Sequence, residues 1–315
     1  MAAGRGVAHT PAMLTYEQAS DVSRQDGLVQ YGGSLTREQV DFYNDEGYLV
    51  LPEHLDADNL EPAKEAMTQK VDMIADGLIA DGLITDKLED EPFETRLAKL
   101  FRGLTDEDFL KYGRSWRDRL PGYFKLMSNE KILDAVESLI GPELFSNPVY
   151  NVRPKVPGVA AGAVPWHQDR SYWPDANSNP VITVWIPIVD ATHENGCLHV
   201  WPRTHRTRMY DHEPESYSGT SYTTIPERHM KTLKREAIPL PVKAGSMILF
   251  NDRNVHMSTP NKSDHVRWSV DLRYQPTDQD PMPGHGAGFL ARSEDRPHAV
   301  ATLEDWLAER PEHEA

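Results

Sequence analysis

Residues 266–274 read Val-Arg-Trp-Ser-Val-Asp-Leu-Arg-Tyr. The alternation is strict. On an extended chain Arg267, Ser269, Asp271 and Arg273 share one face, and Val266, Trp268, Val270, Leu272 and Tyr274 share the other. Such a strand buries its apolar face in a core. Its charged face can line the inside of a barrel, where each charge must find a partner, because an unpaired buried charge costs several kcal/mol. Shorter apolar segments at 149–152, 181–189, 197–201 and 247–250 stand between Pro, Asn, Asp and Gly turns. That spacing predicts antiparallel strands of a sandwich or barrel.

The N-terminal half has a different texture. Thr36 with Gln39 makes a capping box and Leu35 can staple onto Val40, so a helix is expected to start there, with Gly47 to stop it and a strand at Tyr48–Leu51. Leu60, Ala63, Met67, Val71 and Ile74 mark a second helix. Ile132, Val136 and Leu139 mark a third, closed by Gly141-Pro142. The acidic stretch 81–96, broken by Gly82 and Pro92, reads as a surface excursion, and Thr302 caps a short helix holding Trp306 and Leu307. Residues 1–34 read as a loosely ordered arm and 35–315 as one domain, with helices backing a β-barrel. A polar insert at 203–235 carries Tyr210, Tyr217 and Tyr222 and is long enough to be a lid. Gly284–Gly288, with His285, reads as a flexible loop.

The chain has 315 residues with 33 Lys+Arg against 49 Asp+Glu, a net charge of −16. That excess argues against nucleic acid or an anionic membrane as the main partner. The single Cys197 excludes a disulfide framework and a thiolate metal cluster. No apolar run reaches the roughly 20 residues of a membrane span, and residues 1–13 lack a signal h-region. These features predict a cytoplasmic protein with a small-molecule substrate, and leave its oligomeric state open.

The chemistry concentrates in Pro165-Trp-His-Gln-Asp-Arg170. His167 and Asp169 are two apart, so an extended strand would present both on one face, with Gln168 turned away. His256, beyond the strand at 247–250, supplies a third donor from a distant strand. Two imidazoles and one carboxylate leave one face of a metal open, the ligand set of non-haem Fe(II) oxygenases. A second His-x-Asp, His54-Leu-Asp56, lies where its acid more simply caps the second helix. Arg267, on the charged face of the long strand, suits a dicarboxylate whose other end chelates the metal. A local pair with Asp271 is the competing structural role. Arg170, Tyr172 and Trp173 follow the ligand pair directly and are candidate substrate-side residues.

These residues together resemble the phytanoyl-CoA dioxygenase family of Fe(II)/2-oxoglutarate-dependent oxygenases. That family carries His-x-Asp, a distal His, an Arg eleven residues later (256 + 11 = 267) and a Trp about eighteen after the first His (167 + 18 = 185). Asn195-Gly-Cys-Leu198 and Trp201-Pro-Arg-Thr-His205 look like its further signatures, with Arg203 standing where the family usually has Gly. The resemblance runs from about Leu35 to Pro276. It implies a mainly β fold with flanking helices, a double-stranded β-helix (a jelly-roll or cupin-like barrel) backed by the N-terminal helices. It also implies Fe(II) on His167, Asp169 and His256, and 2-oxoglutarate on Arg267 with Ser258 as helper. Asn151 and Trp185 would line the co-substrate pocket. With O2, the implied outcome is hydroxylation of an unactivated C–H bond, with desaturation, epoxidation or ring closure as variants. A cupin-like metalloenzyme without 2-oxoglutarate would have no use for Arg267. A non-catalytic binding module would have no use for three intact ligands, and no motif places the general base that a zinc hydrolase needs.

Overall fold

Thr36 closes its capping box with Gln39, and helix α1 (Arg37–Glu46) ends at Gly47, whose φ of 85° is a left-handed cap. The chain passes directly into β1 (Tyr48–Leu51). Asp56 caps α2 (Ala57–Ala80), and the residues at helical spacing are its buried face. The computed structural model describes residues 32–308 apart from 114–115, 117, 160–161, 173–180, 216–221 and 280–287. Most of the expected arm, Tyr217, Trp173, and 284–287 with His285 lie outside the described residues. Just before α1, the amides of Ser34 and Leu35 are tied to Asp134 O and Ser138 Oγ.

The excursion after α2 is shorter than expected. It ends at Pro92, where α3 (Phe93–Leu100) begins. A further helix, α4 (Pro121–Met127), is too short for its periodicity to be read, while α5 (Glu130–Ile140) and the C-terminal α6 (Leu303–Ala308) fall where the caps place them.

Two antiparallel sheets follow. The larger joins β1 to β2 (Leu144–Ser146), β3 (Asn151–Lys155), β5 (Ile182–Pro187), β10 (Met247–Asn251), β12 (Arg267–Pro276) and β13 (Phe289–Arg292). The smaller runs β4 (Val164–His167), β11 (Val255–Ser258), β6 (Leu198–Trp201), β9 (Ile238–Leu240). No strand pair joins them among the described residues, so the jelly roll is two sheets over a shared cavity and not a closed ring. The expected strand at 149–152 slides to 151–155, because its pairing partner is β12 and charged Arg153 and Lys155 are needed there.

The apolar face of β12 lies under the helices. Trp268 stacks on Phe93 of α3 at 4.9 Å, and Tyr274 donates to Met127 O of α4 at 2.6 Å. With that face covered, Arg267, Ser269, Asp271 and Arg273 are turned into the space between the sheets, and all four are buried.

The insert is partly regular: a 3-10 turn at Thr204–Arg206, a hairpin of β7 (Glu213–Pro214) with β8 (Thr223–Thr224), and one helical turn at Glu227–Met230. Arg203, which opens the insert, has φ 65°, the left-handed conformation that favours glycine. Ion pairs of its guanidinium with Asp45 and Glu46 at the end of α1 accompany that conformation.

Candidate active site

β4 and β11 pair so that His167 stands directly across from His256, with ring centroids 4.1 Å apart. His256 therefore sits within β11, the strand that follows β10. Asp169 arrives differently from the expectation: β4 ends at His167, and Asp169 opens a 3-10 turn running to Tyr172. The turn still brings its Oδ1 to 3.4 Å from His167 Nε2 and 3.8 Å from His256 Nε2. All three side chains are buried, and their donor atoms lie within 4.8 Å of one another.

Each ring is held by its other nitrogen. His167 Nδ1–H donates to Pro165 O at 2.8 Å and His256 Nδ1–H to Asn254 O at 2.9 Å, which turns both Nε2 lone pairs into the site. Asp169 Oδ2 accepts from Thr183 Oγ1 at 2.8 Å and Arg273 at 3.0 Å. Burial alone would raise the Asp169 carboxyl, but Arg273 and the two imidazoles hold it well below the usual range. Burial, aided by His167, pushes His256 down to about 3, so the ring is neutral with its lone pair free. Two imidazoles with Nε2 turned inward and one ionised oxygen fit a divalent ion whose far face stays open. His54 and Asp56 take no part: Asp56 caps α2, and His54 Nε2 donates to Lys131 O.

The triad opens on a cavity of about 380 Å³, its open mouth included, whose walls come from both sheets. Arg267 lies in its wall, 1 % exposed, with Trp185 against its guanidinium at 5.3 Å. The guanidinium donates to Ser269 Oγ, its Nε has no partner, and among the described residues no carboxylate pairs with it. Asp271, the acid that a structural role would use, is taken by Arg153 at 2.5 Å and Arg273 at 2.8 Å. Burial and then Arg153 push Arg267 down to about 10, so it stays charged at neutral pH. A buried cation without a counter-ion is an anion site.

Ser258 shares this wall, and its Oγ accepts from Lys155 Nζ at 2.7 Å. Lys155 is the register partner of Arg267 and is 2 % exposed; burial and then Arg267 push its amine well below the ordinary lysine range. Lys155, Arg153, Thr183 and Arg273 are the site residues that the sequence reading passed over. Arg273 carried a signal, its place on the polar face of 266–274. The others sit in short strands without alternation.

Two expected residues change role. Asn151 shares a face of β3 with Arg153, yet its side-chain amide is spent on Asp271 Oδ2 at 2.7 Å and it is not among the residues lining the cavity, whereas Arg153 is. Arg170 turns away from the cavity into a buried ion pair, its Nε 2.6 Å from Asp252. Tyr172 stands at the edge, ring centroid 6.0 Å from that of His167. Gln168 does point away from the triad, and its side chain ties two segments: Nε2 donates to Arg253 O at 2.7 Å and Oε1 accepts from Tyr210 N–H at 2.9 Å. Its own amide donates to His212 Nε2 at 3.1 Å.

The family model for phytanoyl-CoA dioxygenase matches residues 43–269. A phytanoyl-CoA dioxygenase domain-containing protein 1 homolog of Dictyostelium discoideum is 27% identical over 262 residues, covering 76% of this chain and 91% of its own. The peroxisomal phytanoyl-CoA dioxygenase of Homo sapiens is 25% identical over 280 residues, covering 88% and 78%. Among solved structures, the apo non-heme monooxygenase ThoJ superposes with a TM-score of 0.57 at 18% identity, covering 87% of this chain and 88% of its own. The non-heme alpha ketoglutarate dependent carbocyclase SnoK from nogalamycin biosynthesis gives 0.54 at 21%, covering 79% and 87%. At these identities the structural likenesses establish a shared fold.

Proposed function

Because the chain belongs to the phytanoyl-CoA dioxygenase family, we propose that it is an Fe(II)- and 2-oxoglutarate-dependent oxygenase that hydroxylates an unactivated C–H bond of a small molecule. The observation that carries this is Arg267, a buried guanidinium with no carboxylate partner among the described residues, lining the same cavity as a His-Asp-His cluster. A cupin-like metalloenzyme shares the cluster but leaves that charge without a purpose.

In this reading His167, Asp169 and His256 hold the ion. Bound Fe(II), with 2-oxoglutarate and O2, supplies the oxidising chemistry and releases succinate and CO2. The chain's own residues bind and orient. Arg267 takes the far carboxylate of 2-oxoglutarate through two parallel N–H donors, and Ser258 adds a hydroxyl. Trp185 covers the guanidinium and keeps water from it. His256, kept neutral by burial, spends no proton on binding the ion, and both rings are already oriented through Nδ1–H.

We take residues 35–315 as one functional unit and the 203–235 insert as the cover of the cavity mouth. Support comes from Tyr222, whose hydroxyl accepts from Arg153 of the wall at 3.0 Å, and from Ile225, whose amide donates to Trp166 O at 2.7 Å. Tyr172 and Trp173 remain substrate-side residues in this reading, and Arg170 does not. No helix among the described residues is long and apolar enough to cross a membrane.

The test is Arg267→Gln, read by anaerobic titration of 2-oxoglutarate into metal-loaded protein and by succinate release. Removing one partner of a buried charge pair costs about 2 kcal/mol or more, so 2-oxoglutarate affinity should fall at least about 30-fold with metal affinity kept. Unchanged affinity for 2-oxoglutarate would overturn the proposal in favour of the cupin-like alternative.

A further inference from the structure

Asp169 has two carboxylate oxygens, and the fold leaves one of them available. Oδ1 faces the two Nε2 atoms at 3.4 and 3.8 Å. Oδ2 is occupied by Thr183 Oγ1 at 2.8 Å and by Arg273 at 3.0 Å. Arg273 is itself immobilised. Its other terminal nitrogen donates to Asp271 Oδ2 at 2.8 Å and Val149 O at 3.3 Å, and Asp271 is in turn gripped by Arg153 at 2.5 Å and Asn151 at 2.7 Å. Arg273, Asp169 and Asp271 are each 5 % exposed or less, so water does not compete for these bonds.

This arrangement is a poor one for metal affinity alone. A guanidinium within bonding distance of the only carboxylate in the cluster withdraws electron density from that ligand and repels the ion. Its benefit lies in the count of positions. An octahedral ion held by three single donor atoms keeps three positions, whereas a carboxylate that gave both oxygens would consume a fourth. Chelation by 2-oxoglutarate needs two positions and O2 a third.

We propose that Arg273 is a positioning residue that, with Thr183, restricts Asp169 to ligation through Oδ1 and so preserves the coordination position that 2-oxoglutarate requires. The proposal rests on the functional reading given above. It separates from a merely structural ion pair by its sign: losing a structural pair weakens everything, while losing this restraint favours the ion and disfavours the co-substrate.

The experiment uses the full chain with Mn(II), which does not turn over, and measures Mn(II) affinity and then 2-oxoglutarate affinity on the Mn(II)-loaded protein by calorimetry. Arg273→Met is expected to bind Mn(II) as tightly as the unmodified protein or up to about tenfold more tightly, and 2-oxoglutarate at least tenfold more weakly. Arg273→Lys, which keeps the charge and a donor, should restore most of that loss. Unchanged 2-oxoglutarate affinity in folded Arg273→Met, or weakened Mn(II) binding in it, overturns the proposal. If Arg273→Met does not fold, Thr183→Val decides, being nearly isosteric. A threefold or greater fall in 2-oxoglutarate affinity with Mn(II) binding undiminished supports the proposal, and no fall overturns it. Unmodified protein that binds Mn(II) but no 2-oxoglutarate would overturn the functional reading and this proposal with it. Failure of this proposal alone is told apart because the unmodified protein then still binds 2-oxoglutarate.

Discussion

Lys155 places an amine beside a guanidinium in the dry interior, and that juxtaposition has a measurable consequence. Burial, then Arg267 and Arg153, depress its affinity for a proton well below the ordinary 10.5. Between the depressed folded value and 10.5 the unfolded chain holds a proton that the folded one has released, so over that window this group makes stability rise with pH. Lys155→Met keeps the length of the side chain and removes the penalty. It should stabilise the protein by about 1–3 kcal/mol at neutral pH, the range seen when buried ions give way to apolar side chains, with the gain shrinking as pH approaches 10.5. Urea denaturation at several pH values checks this. Because Ser258 Oγ loses its 2.7 Å donor, 2-oxoglutarate should also bind more weakly.

The same scale shows what a reader of the sequence can and cannot see. His167, Asp169, His256 and Arg267, which the fold brings to one cavity, were legible as an ordered set, because donor chemistry restricts residue type at each position even though His-x-Asp alone is weak. Lys155 and Arg153 were not, since β3 holds Pro154 between them and shows no apolar alternation. Asn151 and Arg170 differ from the expectation for a related reason: a polar residue near a site reads the same whether it is free for a ligand or spent on a neighbouring acid, here Asp271 and Asp252.

At the scale of elements, helices with a cap or a long apolar face were the legible ones. α1 and α2 announce their starts through Thr36 and Asp56, whose side chains accept from first-turn amides, and α5 shows its buried face and its Gly141 stop. α4 has no side-chain cap and is set by packing: a Cβ on its Gly122 would lie 1.8 Å from Pro62 O of α2. Backbone meets backbone there. Gly122→Ala must force the two helices apart and should lower stability by about 2–3 kcal/mol, seen as a shifted urea midpoint at an unchanged m value. A change below about 0.5 kcal/mol would show that α4 has room to slide. β4 gives the corresponding lesson for strands. The rule that i and i+2 share a face led to the right pair, yet a helical turn delivers the carboxylate, because the strand stops at His167.

For the molecule as a whole, the two sheets carry complementary halves of one site. β4 and β11 supply the imidazoles, and β12 supplies Arg267 and Arg273 from the opposite wall. A metal and co-substrate bridging those walls should therefore act as a cross-link on the folded state. At a hundredfold excess over its Kd, each ligand adds about 2.7 kcal/mol. That corresponds to a rise of about 5 °C in Tm for a chain of this size. Thermal melts with Mn(II) alone, then with 2-oxoglutarate added, should climb in two steps, and a chelator should reverse both. A single step, with no response to 2-oxoglutarate, would mean that the β12 wall does not take part.

The hydrogen bonds of Gln168 bear on how this scaffold tolerates redesign. Between His167 and Asp169, its amide and side chain rely on His212 and Tyr210, so the first part of the insert is a strut of the His-Asp-His cluster. Trimming that segment to widen the entrance would strand a polar group beside the ligands. Loop grafting for new substrates is better confined to the stretch beyond the β7 hairpin strand, with 208–214 left intact.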